Sequence, residues 1–233
     1  MSTNKKTARI AGSLYLSYII ATAIANVVGR KGIIVEGDAA ATTANIIAKG
    51  TLFRIGFVSD VLAGVLFLLA AWALYVLLKP VNKNIALLFL LVNLGGVAVQ
   101  CINMLNLFSA VILSSGADYL KVFQPDQLQA LAMVFLDLYK NGFMIAQFFF
   151  GVWLFPLGYL VFKSGYLPKV LGIVLMVECF GWLLYPFQFF LFPSYGVITY
   201  LSFAVGFIGE FSLALWLLIM GAKDQKPAVE SVS

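Results

Sequence analysis

Twenty-eight residues, Thr51 to Leu78, form a run apolar enough to cross a bilayer, yet the run carries Arg54 near one end and Asp60 well inside it. An α-helix rises about 1.5 Å per residue, so Asp60 lies roughly 13 Å from the start of such a helix. Its short side chain cannot snorkel to water over that distance. Insertion scales put an Asp at the centre of a spanning helix at about +3 kcal/mol, which directs the carboxylate toward protein or a wet cavity rather than lipid. A chain that keeps such a residue is expected to fold as a bundle of several helices with the acid turned inward.

The remainder of the chain has the same character. Of its 233 residues, 62% are hydrophobic and 11% charged, against about 25% charged in soluble domains. Further apolar runs cover Ile10 to Val28, Ile85 to about Leu113, Gly142 to Phe162, Val170 to about Phe190 and Tyr195 to Met220. The expectation is an all-α, polytopic membrane bundle of about six transmembrane helices, one domain over residues 1–222 with a short cytoplasmic tail at 223–233. A cleaved signal peptide is the alternative for the first run, since small residues at Ala21, Ala23 and Ala25 follow a basic start. Gly29 to Gly50 predicts a short helix at the membrane surface, with Asp38 as its N-cap. Asp126 to Phe162 reads as nearly continuous helix, with Pro156 as its kink.

A net charge of +5 is compatible with nucleic-acid binding, but the basic residues are spread over helix ends and form no cluster, so none is expected. The lipid bilayer is the expected partner; oligomeric state is not legible. With six spans, one side receives Lys5, Lys6, Arg9, Lys79, Lys83, Lys163, Lys169, Lys223 and Lys226, and the other Arg30, Lys31, Lys49, Arg54, Lys121 and Lys140. The excess places both termini in the cytoplasm of a bacterial inner-membrane protein.

Polar residues inside the runs are the candidate site. Asn93, Gln100 and Asn103 share one face of the third run, Gln100 about 20° and Asn103 about 80° from Asn93 at 100° per residue. Interhelical hydrogen bonding alone would account for them. Glu178 sits near the middle of the fifth run, and Ser202, Gly206 and Glu210 follow i, i+4 spacing in the sixth. Asp60, Glu178, Glu210, Arg54, Asn93, Gln100 and Asn103 are therefore the residues expected to line a shared polar interior. Arg54 is about 120° around the helix from Asp60, so a pair within that helix is not expected. Asp137 and Lys140, at i, i+3, are expected to pair locally. Cys101 and Cys179 lack metal or redox spacing and the chain has no histidine, so neither metal nor cofactor is expected.

The segments LFRIGFVSD (52–60), ALYVLLKPVNKNIALL (73–88) and FFGVWLFPLGYLVFKSGYLPKVLG (149–172), with GDAAATTANI before them, resemble a bacterial family of membrane proteins known as the domain-of-unknown-function 4386 family. The resemblance covers nearly the whole chain. It implies a polytopic bacterial membrane protein and carries over no activity, substrate or cofactor. Two hairpins, Ala73 to Leu91 and Leu157 to Leu175, also resemble each other: an aromatic residue, a Lys four positions later and a second Lys in the turn. A duplicated helical hairpin would produce that pattern.

Three functions remain open on the sequence. A small-molecule binding protein or transporter would use the embedded acids to line a polar cavity and take up a proton or cation. A structural or assembly partner of another membrane protein would need them only satisfied by amides. An intramembrane lipid-modifying enzyme would need acids converging from separate helices, since no nucleophile motif is present.

Overall fold

The computed structural model describes residues 3–197, 199–200 and 208–223, and among them the ordered elements are all helical. In chain order these are α1 (Thr3–Val27), α2 (Ala39–Ala48), α3 (Gly50–Leu78), α4 (Lys83–Leu113), a 3-10 turn (Asp118–Leu120), α5 (Pro125–Val152), α6 (Leu154–Lys163), α7 (Lys169–Leu191) and α8 (Ile208–Ile219). In hydrocarbon every backbone amide must be satisfied within the protein, and continuous apolar runs of this length, without the alternation of barrel strands, do so as helices. Among the described residues, five helical segments are long and apolar enough to cross a membrane: α1, α3, α4, α5 with α6 taken together, and α7. The chain is accordingly a multi-pass membrane protein. The expected sixth span is described in its second part, α8; Ser202 and Gly206 lie outside the described residues.

The helix expected over 126–162 is interrupted at Trp153, between α5 and α6. Pro156 has no amide hydrogen to give the carbonyl four residues back, at Val152, and its ring crowds that carbonyl; the break falls there. Helix α2 forms as its sequence predicts, with the Asp38 carboxylate accepting from the Ala41 amide at 2.8 Å.

The chain divides into two compact units, one from residues 1–16, 69–93 and 150–233, the other from 17–68 and 94–149. The second unit has its apolar core where Ile33, Ile46 and Phe53 meet Met104, Leu107, Ala132 and Leu136. The segment between α1 and α2 is tied onto this core. Thr42 Oγ1 both donates to and accepts from the Val35 backbone (3.0 and 2.9 Å), and the Asn45 amide donates to the Ile33 carbonyl at 3.2 Å. Lys140 pairs with Glu36 at 3.0 Å, and Asp137 is exposed. The expected Asp137–Lys140 pair is thus corrected: the tied-down segment offers Lys140 an acid that its own helix does not need to supply.

In the first unit, α6 and α7 cross closely at two glycines. A Cβ on Gly158 would come within 2.6 Å of the Gly172 carbonyl oxygen, and small residues are what permit such backbone approach. The two similar hairpins both lie here. In each, the lysine four residues after a tyrosine lies over its ring, Lys79 over Tyr75 at 5.8 Å and Lys163 over Tyr159 at 6.0 Å. In each, the second helix begins at the second lysine, Lys83 or Lys169. Tyr166, in the second turn, donates its hydroxyl to the Leu77 carbonyl at the end of α3 (2.6 Å) and so joins the hairpins. Burial pushes Tyr166 up to about 12.

Candidate functional site

Each unit contains an embedded acid with a charged neighbour among the described residues. In the second unit the partner of Asp60 is Arg30, from the turn after α1: one guanidinium nitrogen meets Asp60 Oδ2 and the other lies 3.3 Å from Oδ1. This is the two-pronged geometry that arginine's planar fork favours. The side chains are only 15% and 10% exposed. Two glycines allow the approach. Gly29 and Gly56 meet backbone to backbone, and Gly56 sits one helical turn before Asp60, so Arg30 is delivered directly over the acid. Burial acts to lower the Arg30 pKa, but the hydrogen bond and charge of Asp60 outweigh it and hold the guanidinium above its ordinary value. The Arg30 guanidinium also lies 5.8 Å from the centre of the Tyr139 ring, a cation–π distance.

The amides beside this pair are largely engaged in holding helices. Asn103 donates to the Tyr139 carbonyl at 2.8 Å and accepts from Asn106 at 3.1 Å. Gly142 leaves the room: a Cβ there would land on the Asn103 amide. Gln100 faces Tyr139 and its amide nitrogen lies 3.6 Å from Met104 Sδ. Arg54 is exposed. The sequence could make it a partner for an embedded acid; the structure gives Asp60 to Arg30 instead, because Arg54 points from another face of α3.

The cluster in the first unit is of a different kind. Glu178 of α7 is completely buried, with the Trp182 indole and the Glu210 backbone amide as donors beside its carboxylate. The charged group acting on it is another acid, Glu210 of α8, and the Trp182 indole lies beside both. Tyr15 of α1, fully buried, donates its hydroxyl to Glu210 Oε1. Gly209 makes the space, since a Cβ there would overlap Glu178 Oε2. Asn93, on α4, belongs to the same unit, is fully buried, and has neither amide atom partnered among the described residues. Of the residues expected to line a polar interior, Asp60, Gln100 and Asn103 fall in the second unit, and Glu178, Glu210 and Asn93 in the first.

The family model described as "Domain of unknown function (DUF4386)" matches residues 10–221. The chain belongs to the DUF4386 family. An uncharacterized protein of the archaeon Archaeoglobus fulgidus is 32% identical to it over 175 residues, 75% of this chain and 88% of that one. No solved structure matches this DUF4386 protein.

Four residues of these constellations are absent from the sequence-derived set. Arg30 looks like a topology signal in an external loop; its glycine neighbour Gly29, matched to Gly56 in the apolar run, is the only local hint that it enters the bundle. Tyr15, Tyr139 and Trp182 look like ordinary lipid-facing or interfacial aromatics. Of these three aromatics, Trp182 carries a signal, since i, i+4 spacing puts it on the Glu178 face.

Proposed function

We propose that this DUF4386 protein is a proton-linked binding or transport protein of the bacterial inner membrane, with the Glu178–Glu210 pair as its proton site. The observation that carries the reading is the complete burial of Glu178 against a second acid. Two carboxylates side by side in an apolar interior cannot both be charged without severe repulsion, whereas one proton held between them removes it. Tyr15 donates to Glu210 and thereby steadies the carboxyl that carries the negative charge. Intramembrane acids commonly mark proton paths. The nine-to-six distribution of Lys and Arg supports cytoplasmic termini.

The test uses purified protein across an acid-to-alkaline titration. Infrared difference spectra should contain a carboxyl C=O band that disappears in both Glu178→Gln and Glu210→Gln while the fold is retained. In proteoliposomes enclosing a pH-sensitive dye, the same substitutions should abolish any substrate-induced proton movement found by screening metabolites. Retention of the band in both variants would remove the proton site from the proposal.

The structural or assembly reading has its own support in the other unit. There Asp60 is fully matched by Arg30, which is what a locked bundle requires and a proton site does not.

A further inference from the structure

In the first unit an apolar groove of about 560 Å³ opens between α4, the end of α5 with α6, and α7. Its floor is Pro156 and Cys179, both buried; its open edges are Leu88, Phe155 and Phe180, which are 52%, 45% and 60% exposed. The rings of Phe155 and Phe180 meet edge to face at 6.2 Å and form one wall. A volume of this size falls within the range of small-molecule sites, and these walls offer an occupant nothing but hydrocarbon.

What would fill it follows from how deep it runs and what stands at one end. Ile85 lies two residues inside Lys83, and Tyr159 lies one helical turn before Lys163, whose ammonium stands over its ring. At the other end, Val152 is eleven residues from Lys163, and Phe180 eleven from Lys169. At 1.5 Å per residue that is about 16 Å, half the roughly 30 Å thickness of a hydrocarbon core. The groove thus extends from the basic turns to about the bilayer midplane, the reach of a single leaflet. The four lysines of those turns, Lys79, Lys83, Lys163 and Lys169, are all exposed. We infer that the groove holds an acyl chain of an anionic phospholipid from the leaflet on the lysine side, with its phosphate and acidic headgroup against Lys83, Lys163 and Lys169. Apolar complementarity supplies chain binding, and the lysines supply the preference for an acidic headgroup. The site is independent of the proton reading, because neither Glu178 nor Glu210 lines it.

Native mass spectrometry of the full-length detergent-purified protein tests this with two probes of matched acyl chains, phosphatidylglycerol and phosphatidylcholine. Phosphatidylglycerol should be retained at concentrations on the order of tenfold lower than phosphatidylcholine. Substituting Lys83, Lys163 and Lys169 together by Gln should erase that preference and keep weak binding of both lipids. Leu88→Trp, which fills the open edge from an exposed position, should reduce retention of both. Equal retention of the two lipids by the native chain would overturn the inference. So would unchanged preference in the triple variant, or an unchanged lipid count in a folded Leu88→Trp. A dimer in detergent that Leu88→Trp dissociates would also overturn it, by assigning the groove to a second copy.

Discussion

Asp60 and Glu178 are both embedded acids on apolar helices, and the two units treat them in opposite ways. Asp60 receives a guanidinium from outside its helix, aimed by a glycine contact and spread over both carboxylate oxygens. Glu178 receives another acid and an indole. The first arrangement closes the site: every change of protonation would strand a buried charge. The second leaves the site open to a proton, because protonation relieves a repulsion instead of creating an imbalance. Burial of an acid is therefore an incomplete indication of function, and the identity of its neighbour decides how the acid is used.

The strongest way to break this comparison is to neutralise each acid in turn. Asp60→Asn leaves the Arg30 guanidinium without its counter-charge, and breaking a buried pair from one side costs about 3–5 kcal/mol. Thermal unfolding in detergent should show that loss. The double replacement Arg30→Met with Asp60→Leu should recover most of it, since no charge is then stranded. Glu178→Gln should leave stability unchanged or raise it, because a neutral amide stands beside Glu210 without having to take up a proton. If Asp60→Asn were as well tolerated as Glu178→Gln, the two sites would not differ as described.

This contrast also explains what the sequence could and could not disclose. The apolar runs are long, so periodicity and composition disclosed the helices, the Asp38 cap and the proline break. The embedded residues were visible because charge in an apolar run is conspicuous. Their grouping was not, since it depends on which helix faces which. Arg54 was closer to Asp60 in sequence than Arg30, yet helix geometry turns it away, and Arg30 arrives through a turn that only the Gly29–Gly56 approach permits. Tyr15 illustrates the same limit: an aromatic in a spanning helix gives no indication that its hydroxyl meets Glu210 on the last described helix.

A smaller effect tests whether the first unit is rigid away from its acids. Tyr166→Phe removes the hydroxyl that meets the Leu77 carbonyl at 2.6 Å and should cost about 1 kcal/mol. The pH dependence has a definite sign. Tyr166 lies near 12 in the folded chain against an ordinary value of 10.0, so an unfolded chain loses this proton first. The contribution is present in full below pH 10, and fades as pH rises toward about 12. Alkaline unfolding curves of the native protein and Tyr166→Phe should converge over that interval.

The smallest effect compares two amides. Asn103 has a carbonyl acceptor and an Asn106 donor, so Asn103→Leu should be destabilising. Asn93 is equally hidden, with both amide atoms unpartnered among the described residues. An amide buried without partners carries a desolvation cost that an apolar side chain of similar size does not. Asn93→Leu should therefore raise the melting temperature slightly, by a gain below about 1 kcal/mol. A clear loss of stability would mean that Asn93 is as firmly engaged as Asn103, and the difference between the units would shrink to the carboxylates alone. A gain in stability would show the reverse: the unit containing Glu178 and Glu210 keeps an uncompensated polar group that folding does not require, as expected where a site must interact with something besides its own chain.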